Sequence, residues 1–367
     1  MKINGRFSQW LGALIAVVVV SAIAAIVQWR ITENELIKAQ EAGQGAQIVY
    51  GADAKEDGEP LTLLPVKITE EYIIYTDRVL ERFNYEQKDI TKATDAINAL
   101  YSWAPENTNV YLMFAPLRIA FEKNTTVNDA EVMLNAAGEI YSGIASQIKI
   151  IDVYDTLGSH SDEYIYFRTE ETWTALGAYY AAGEFLQSKG IEIRPIEEYK
   201  YGTFPNYSGA YKNVEGAEEA MDNDDTIYFY YLKSSANSQL KTAYQDGEYL
   251  EYESPAIALS RRSIDIFVGA YYSHSIIEGD KKDGSSVMIF GDNYSKIFSA
   301  WLIPYYDKVC VVDTAYFEGT AEDIQNIIDT YNVEDILVIQ SARMIQSGIR
   351  SSKMSQLFEQ ALQGEAN

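Results

Sequence analysis

The stretch SSVMIFGDNYSKIFSAWLIPYYDKVCVVD, residues 285–313, predicts the fold class of this chain. It begins with a short apolar run, passes through GDNYS into a helical pattern that extends to about Ile303, and ends in a second apolar run. Apolar runs of this length, separated by a helix, are typical of parallel strands that are buried on both faces. We therefore predict a strand–turn–helix–strand unit of an α/β protein.

The same alternation continues on both sides of this unit. Further strands are predicted at 110–116, 148–154, 226–232 and 335–340, and further helices at 69–83, 87–102, 128–146, 173–188, 321–331 and 351–363. Strands that alternate with helices predict a mostly parallel sheet with helices on both faces. The stretch 195–265 is richer in turn residues, acidic residues and tyrosine runs, and we interpret it as an irregular insertion.

The amino-terminal residues predict a membrane anchor. Residues 11–28 are almost entirely apolar, and an α-helix of this length spans ~27 Å, close to the hydrocarbon thickness of a bilayer. Trp10 and Trp29 flank the run, as aromatic residues do at membrane interfaces. Lys2 and Arg6 precede it, which places the amino terminus in the cytoplasm. We expect a single-pass cell-membrane protein whose main domain is extracellular.

These features divide the chain into four predicted parts. Residues 1–9 form a short cytoplasmic tail, 10–29 a transmembrane signal-anchor, 30–68 a stalk and 69–367 the folded domain. A cleaved signal peptide is the alternative for the amino terminus, because the triplet at 22–24 resembles a small-x-small cleavage site.

The composition argues against a nucleic-acid-binding surface and against an intramolecular disulfide. The 367 residues carry a formal net charge of −25, so the surface would repel nucleic-acid phosphates. The lone cysteine, Cys310, cannot form an intramolecular disulfide and lies in an apolar run typical of a buried strand.

The 29 tyrosines include doublets at 179–180 and 230–231. Exposed tyrosines can stack on sugars, although half-buried strand and helix positions are the simpler interpretation.

The first candidate site is the turn at Gly291, Asp292 and Asn293. It follows a predicted strand and precedes a predicted helix, and in open α/β sheets ligands bind beyond the carboxyl ends of the strands. A nucleophilic serine would lie here, with the backbone amides of the helix start placed to stabilise an oxyanion.

The second candidate site is FRTEETWTALGAYY, residues 167–180, with its adjacent carboxylates Glu170 and Glu171. The two could form a carboxylate pair as in glycoside hydrolysis, or contact a ligand. We favour a third interpretation, in which Thr169 caps the following helix and the glutamates occupy its first turn, where the helix dipole stabilises them.

The run YIYFRTEETWTALGAYYAA resembles the block that names the bacterial DHHW proteins, which are relatives of the alginate O-acetylation proteins in the SGNH hydrolase-like superfamily. Their block reads approximately Tyr-Tyr-Arg-Thr-Asp-His-His-Trp-Thr. VYLMFAP, FVGAYYSHS, GDNYS and VEDILVIQS agree in order, so the resemblance covers about 105–345. It implies an SGNH hydrolase-like, flavodoxin-like fold and a role in a cell-surface polysaccharide context, such as O-acetylation.

The resemblance also implies that the catalytic positions are degenerate. The family's Asp falls on Glu170 and its first His on Glu171, while the catalytic His falls on Thr172 and the nucleophilic Ser on Asn293. The oxyanion Asn falls near Tyr271. Threonine cannot act as a general base near neutral pH, and asparagine has no oxygen of useful nucleophilicity.

The framework around these positions matches the family more closely. The residues that we expect to line a ligand cleft are Glu171, Trp173, Asp292, Tyr294 and His274. A pair formed by Ser295 and His274 is an alternative source of catalysis. Ser295 lies two residues past the nucleophile position, which on a helix turns its side chain away from the cleft.

The sequence thus predicts a membrane-anchored, extracytoplasmic, SGNH-like DHHW protein without catalytic turnover. We expect it to bind a cell-surface glycan or to act with membrane O-acyltransferase machinery, without a cofactor. The alternatives are an active carbohydrate esterase or acetyltransferase with a rebuilt site, and a structural envelope scaffold. No metal site is expected, because the acidic run at 222–225 lacks the spacing of a calcium-binding loop.

Overall fold

A computed structural model describes residues 64–122, 127–218, 224–232, 240–243, 249–252, 263–268 and 273–365. The predicted tail and anchor at 1–29, most of the predicted stalk, and Tyr271 lie outside these ranges. Within the described ranges, no helix combines the length and the apolar character needed to cross a membrane.

The secondary structure alternates as the apolar pattern predicts. The strands are β1 (Lys67–Ile68), β2 (Tyr72–Ile74), β3 (Val79–Glu81), β4 (Asn109–Ala115), β5 (Lys149–Ile151), β6 (Lys200–Tyr207), β7 (Asp225–Tyr231), β8 (Leu240–Ala243), β9 (Tyr249–Tyr252), β10 (His274–Glu278), β11 (Ser286–Phe290), β12 (Lys308–Val312) and β13 (Val333–Ser341). The α-helices are α1 (Gln87–Trp103), α2 (Asp129–Gly143), α3 (Tyr154–Ser159), α4 (Ala175–Ser188), α5 (Asn293–Leu302), α6 (Ala321–Tyr331), α7 (Ala342–Ser347) and α8 (Ile349–Glu365).

The central sheet has the strand order β5-β4-β13-β11-β12-β10-β8-β9. The first five of these strands are parallel, and the last three extend the sheet in antiparallel pairs. Numbered in chain order, the five parallel strands lie in the order 2-1-5-3-4; the flavodoxin-like order 2-1-3-4-5 results only when they are renumbered cyclically from β11 and read from β12. The prediction of an α/β fold with a mostly parallel sheet is confirmed.

Helices cover both faces of this sheet. On one face, α1, α2, α6 and α8 share a core with alternate strand residues such as Leu112, Met288 and Val338. On the other face, α4 packs so that Phe185 meets Tyr111 edge-on, with ring centroids 5.2 Å apart, and α5 lies beside it. Because the four inner parallel strands, β4, β13, β11 and β12, are buried on both faces, their sequences are nearly continuous apolar runs.

The prediction of a helix at 69–83 is wrong, because these residues contain the strands β2 and β3. Ile73 belongs to the main core, whereas its neighbour Ile74 packs in a separate cluster with Val79 and Tyr211. Neighbouring side chains point to opposite faces of a strand, and here both faces are buried. The sequence therefore contains adjacent apolar pairs with the same spacing as the apolar residues of an amphipathic helix.

The stretch 195–265 contributes two antiparallel pairs in its described residues. β6 and β7 form a separate two-stranded hairpin, and β8 and β9 extend the edge of the central sheet beyond β10. The β6–β7 hairpin is the part that reaches the candidate site.

Candidate functional site

The two sequence motifs meet at the carboxyl edge of the parallel strands. The Trp173 indole N–H donates to the carbonyl oxygen of Tyr294 at 3.1 Å, and the Tyr294 hydroxyl donates to the carbonyl oxygen of Glu171 at 2.6 Å. These two bonds hold the 171–173 segment against the start of α5. Thr172 and Asn293 therefore belong to segments that lie side by side, although they are far apart in the sequence.

Asp292 fixes the turn that joins β11 to α5. Its Oδ1 accepts from the backbone N–H of Tyr294 at 3.0 Å, which caps the helix. Its Oδ2 accepts from the hydroxyl of Ser341 at 2.5 Å, and Ser341 in turn caps α7. The carboxylate is 3% exposed, so its role is to position the turn.

The residues at the base and nucleophile positions offer little chemistry. Thr172 is fully buried, and its hydroxyl has no hydrogen-bond partner among the described residues. Asn293 is half-buried at the first position of α5. Ser295 is fully buried, and its hydroxyl donates to the carbonyl oxygen of Asp292 at 2.6 Å. The hydroxyl of Ser295 is therefore directed into packing, as its helical position predicts.

Glu170 faces the β6–β7 hairpin. Its Oε2 accepts from the hydroxyl of Tyr207 at 3.0 Å and from the backbone N–H of Ala210 at 3.1 Å. Gly209 allows this close approach, since a Cβ there would lie 2.3 Å from the carbonyl oxygen of Thr169. The carboxylate at the family's Asp position thus ties the hairpin to the 166–173 segment.

The predicted capping arrangement is wrong. The helix begins at Ala175 with Thr174 as its cap, so Glu170 and Glu171 lie before the first turn. Thr169 does not cap the helix, because its backbone N–H and its hydroxyl both donate to the buried carboxylate of Asp225.

Glu171 is paired with an arginine that the sequence reasoning missed. Its Oε2 lies 2.5 Å from Nη1 of Arg343 on α7, and the same guanidinium lies 3.1 Å from Oε2 of Glu81. Burial raises the pKa of Glu171 to about 8, against the opposing effect of Arg343, and the carboxylates of Asp292 and Glu170 add to the increase. Burial and the neighbouring guanidinium therefore act on the pKa of this carboxyl in opposite directions, and the effect of burial is the larger.

A groove of about 440 Å³ opens beside this ion pair, between the β2–β3 hairpin and α7. Arg343, with 43% of its side chain exposed, and Glu81 line it. The remaining lining residues are Glu70, Glu71, Tyr72, Arg82, Asn84, Gln346 and Ser347. The wall is polar and carries both signs of charge. The only sequence signal for this surface was that Arg343 follows the carboxyl end of a predicted strand.

The other residues that we expected to line a cleft have buried side chains. Trp173 and Tyr294 are fully buried, and the Trp173 ring packs against those of Tyr294 and Phe298. His274 is buried on β10, where its Nδ1 lies 3.2 Å from the hydroxyl of Ser273. Burial lowers the pKa of His274 to about 4, so the imidazole is neutral at pH 7.

A buried charged cluster lies behind the turn and was also missed. Asp313, at the end of β12, forms a bidentate ion pair with Arg350, with both N–O distances 2.8 Å. Lys296 on α5 has its Nζ 3.9 Å from Asp265, and burial lowers its pKa. Among the residues described, no three His, Cys, Asp or Glu side chains are grouped so that they could hold a metal ion.

Comparison with known proteins finds one matching family model and several solved structures with a similar fold. The DHHW protein family model matches residues 96–312, which is more than half of the chain. A DHHW family protein from Eubacterium siraeum superposes with a TM-score of 0.65 at 21% identity, over 82% of this chain and 97% of that one. Bacillus cereus PatB1 with a sulfonyl adduct gives 0.63 at 13% identity, over 78% and 98%.

The O-acetyltransferase domain of Pseudomonas putida AlgJ is also similar, with a TM-score of 0.47 at 11% identity, over 78% of this chain and 99% of that domain. No match was found among curated proteins. At 21% and 13% identity, the likenesses to the Eubacterium siraeum protein and to PatB1 show a shared fold.

Proposed function

Since this chain belongs to the DHHW family, we propose that it acts in the O-acetylation of a cell-surface polysaccharide without itself turning over an acetyl ester. One observation carries the second half of the proposal. The segments that hold Thr172 and Asn293 are in direct contact, yet neither residue can serve as a base or a nucleophile. The framework of the site is present and its reactive groups are replaced.

The chemistry supports this proposal. Attack by a serine requires a neighbouring base whose pKa lies near the working pH, and a threonine hydroxyl remains protonated there. In a serine hydrolase, loss of one member of the triad lowers turnover by about 10⁴–10⁶-fold, and the losses are not additive. Ser295 and His274 offer no replacement, since the serine hydroxyl is buried and bonded to Asp292.

The proposed role is binding at the cell surface. Residues 10–29 anchor the protein in the cell membrane as a single span with the main domain outside, where a glycan and a membrane O-acyltransferase are both accessible. The groove beside Glu171 is the proposed contact surface at the degenerate site. Its partly exposed Arg343 and its several carboxylates can bind sugar hydroxyls, since together they offer donors and acceptors.

Acetate release from p-nitrophenyl acetate and from an acetylated glucan tests the proposal. The full chain in detergent micelles is expected to release acetate no faster than its Thr172→Ala, Asn293→Ala variant. Wild-type turnover that is abolished by Glu170→Gln, His274→Gln or Ser295→Ala would overturn the proposal.

The second candidate is an active enzyme with a rebuilt site, and the raised pKa of the buried Glu171 carboxyl favours it. A general base needs a pKa close to the working pH. Restoration distinguishes the two candidates. Under the main proposal, a variant carrying Thr172→His, Asn293→Ser and Glu170→Asp gains acetate release. A wild type that already turns over substrate, with no gain in this variant, supports the rebuilt site.

A further inference from the structure

A continuous series of aromatic rings runs from α3 across α4 to the β6–β7 hairpin. In spatial order it consists of His160, Tyr180, Tyr179, Trp301, Tyr230, Tyr201 and Tyr228, and successive ring centroids lie 3.7 to 6.4 Å apart. Within the series Trp301 is buried, whereas the tyrosines are half-buried. Tyr179, Tyr180 and Tyr230, which belong to two of the tyrosine doublets, are thus linked in one series of ring contacts.

A groove of about 650 Å³ lies at the His160 end of this series. Tyr179 and Tyr180 form its aromatic wall, and Thr156, Glu184 and Gln187 line it with polar groups. The remaining lining residues are Gly183, Gly190, Ile191, Glu192 and Ile193. This volume lies within the range of about 300–1,000 Å³ that is typical of small-molecule sites.

The aromatic wall is held in a fixed orientation. The ring of His160 stacks on that of Tyr180 with an interplanar angle of 10°, and the Tyr180 hydroxyl donates to Glu163 at 2.8 Å. The Tyr179 hydroxyl donates to the carbonyl oxygen of Arg194 at 3.1 Å, and its ring contacts Trp301 edge-on. A rigid aromatic surface binds with a small loss of conformational freedom.

The charge of the groove restricts its ligand. Its lining contains the carboxylates of Glu184 and Glu192 and no lysine or arginine. Carboxylates accept hydrogen bonds from hydroxyl groups and repel anions, which disfavours uronate, sulfate and phosphate polymers. Proline-rich peptides also pack on aromatic rings. Their carbonyl groups need hydrogen-bond donors, however, and an ionised carboxylate cannot donate a hydrogen bond.

We propose that this groove binds a neutral oligosaccharide, with the apolar face of a pyranose against Tyr179 and Tyr180 and its hydroxyls donating to Glu184 and Glu192. The groove is formed by the second half of α4 and the turn that follows, whereas the degenerate centre lies before the start of that helix. The inference extends the proposed polysaccharide role to a second surface. If the groove bound no oligosaccharide, the proposal that the chain does not release acetate would still stand, because acetate release is measured in a separate assay.

Titration calorimetry of the full chain in detergent micelles tests the inference. The neutral probes are tetramers of N-acetylglucosamine, mannose and galactose, and the contrasting probes are tetragalacturonate and a proline decapeptide. At least one neutral tetramer is expected to bind saturably. Tyr180→Ala is expected to weaken that binding about fivefold or more, since it removes one aromatic contact.

A second variant guards against loss of folding. Gln187 and Glu192 are exposed, so Gln187→Ala with Glu192→Ala should leave thermal unfolding unchanged and still weaken binding. Tyr331→Ala, on α6 at the opposite face of the sheet, is the matched control and should leave binding unchanged. Absence of binding to all three neutral tetramers, or binding that neither groove variant weakens, would overturn the inference. Tighter binding of tetragalacturonate or of the proline peptide at the groove would also overturn it.

Discussion

Glu171→Gln is expected to remove a specific pH dependence of stability. Burial raises the pKa of Glu171 from 4.5 to about 8, so the native state favours the protonated carboxyl. The stabilisation from this group is therefore complete below pH 4.5 and is lost as the pH rises towards 8. Glutamine has nearly the same shape and does not ionise, so the variant lacks this loss.

The magnitude follows from the pKa change. One pKa unit corresponds to about 1.4 kcal/mol, so the shift sets an upper limit of about 5 kcal/mol between the two ends of the pH range. The side chain is 12% exposed and Arg343 lies beside it, so we expect about 2 kcal/mol to be observed. Between pH 5 and 9, the free energy of unfolding of Glu171→Gln should rise by that amount relative to the wild type.

Urea unfolding of the full chain, followed by tryptophan fluorescence at five pH values, measures this difference. Glu197→Gln is the matched control, because Glu197 is exposed, and its curve should stay parallel to that of the wild type. Parallel curves for Glu171→Gln and the wild type across the whole range would refute the reasoning that burial perturbs this carboxyl.

Three further predictions concern the interior. Asp225→Asn should lower the free energy of unfolding in urea by about 3 kcal/mol, because an NH2 donor replaces one of the two buried oxygens that accept from two backbone amides and two hydroxyls; no measurable loss would contradict that role. Cys310 is fully buried and its pKa is raised to about 12, so Ellman's reagent should react with it only after unfolding; rapid reaction of the native chain would contradict its burial. Arg350→Met should cost about 3–5 kcal/mol by leaving the Asp313 carboxylate buried and unpaired, as a thermal or urea midpoint shift would show.

The buried parallel strands could be predicted from the sequence with good accuracy. The two apolar runs at the ends of the stretch 285–313, which we predict as strands, correspond to β11 and β12. These runs are short, uninterrupted by polar residues and bounded by turn residues, and this combination distinguishes a buried strand from a helix. The helix at 69–83 failed for a related reason, because the two-sided burial of Ile73 and Ile74 produces a spacing that a helix would also show.

The strand order could not be derived from local pattern. The chain enters the parallel sheet at β4 and reaches the centre with β11 and β13, so neighbours in the sheet are distant in the sequence. Periodicity describes the faces of one element and carries no information about its neighbours.

The candidate site was predicted in part. The contact between the 171–173 segment and the start of α5 followed from the family resemblance, which places both motifs in one site. The pairing of Glu171 with Arg343 and the bonding of Glu170 to Tyr207 involve partners distant in the sequence. The cap at Thr174 was missed because the Tyr166–Trp173 bridge delays the helix start.

Covalent labelling by phenylmethanesulfonyl fluoride, read by intact mass and peptide mapping, tests the central claim most directly. The claim is that the site holds no activated nucleophile, so the native full chain should show no adduct at 170–173 or 291–295. The variant with Thr172→His, Asn293→Ser and Glu170→Asp serves as the positive control and should be labelled at residue 293. A stoichiometric adduct of the wild type within either segment would contradict the account.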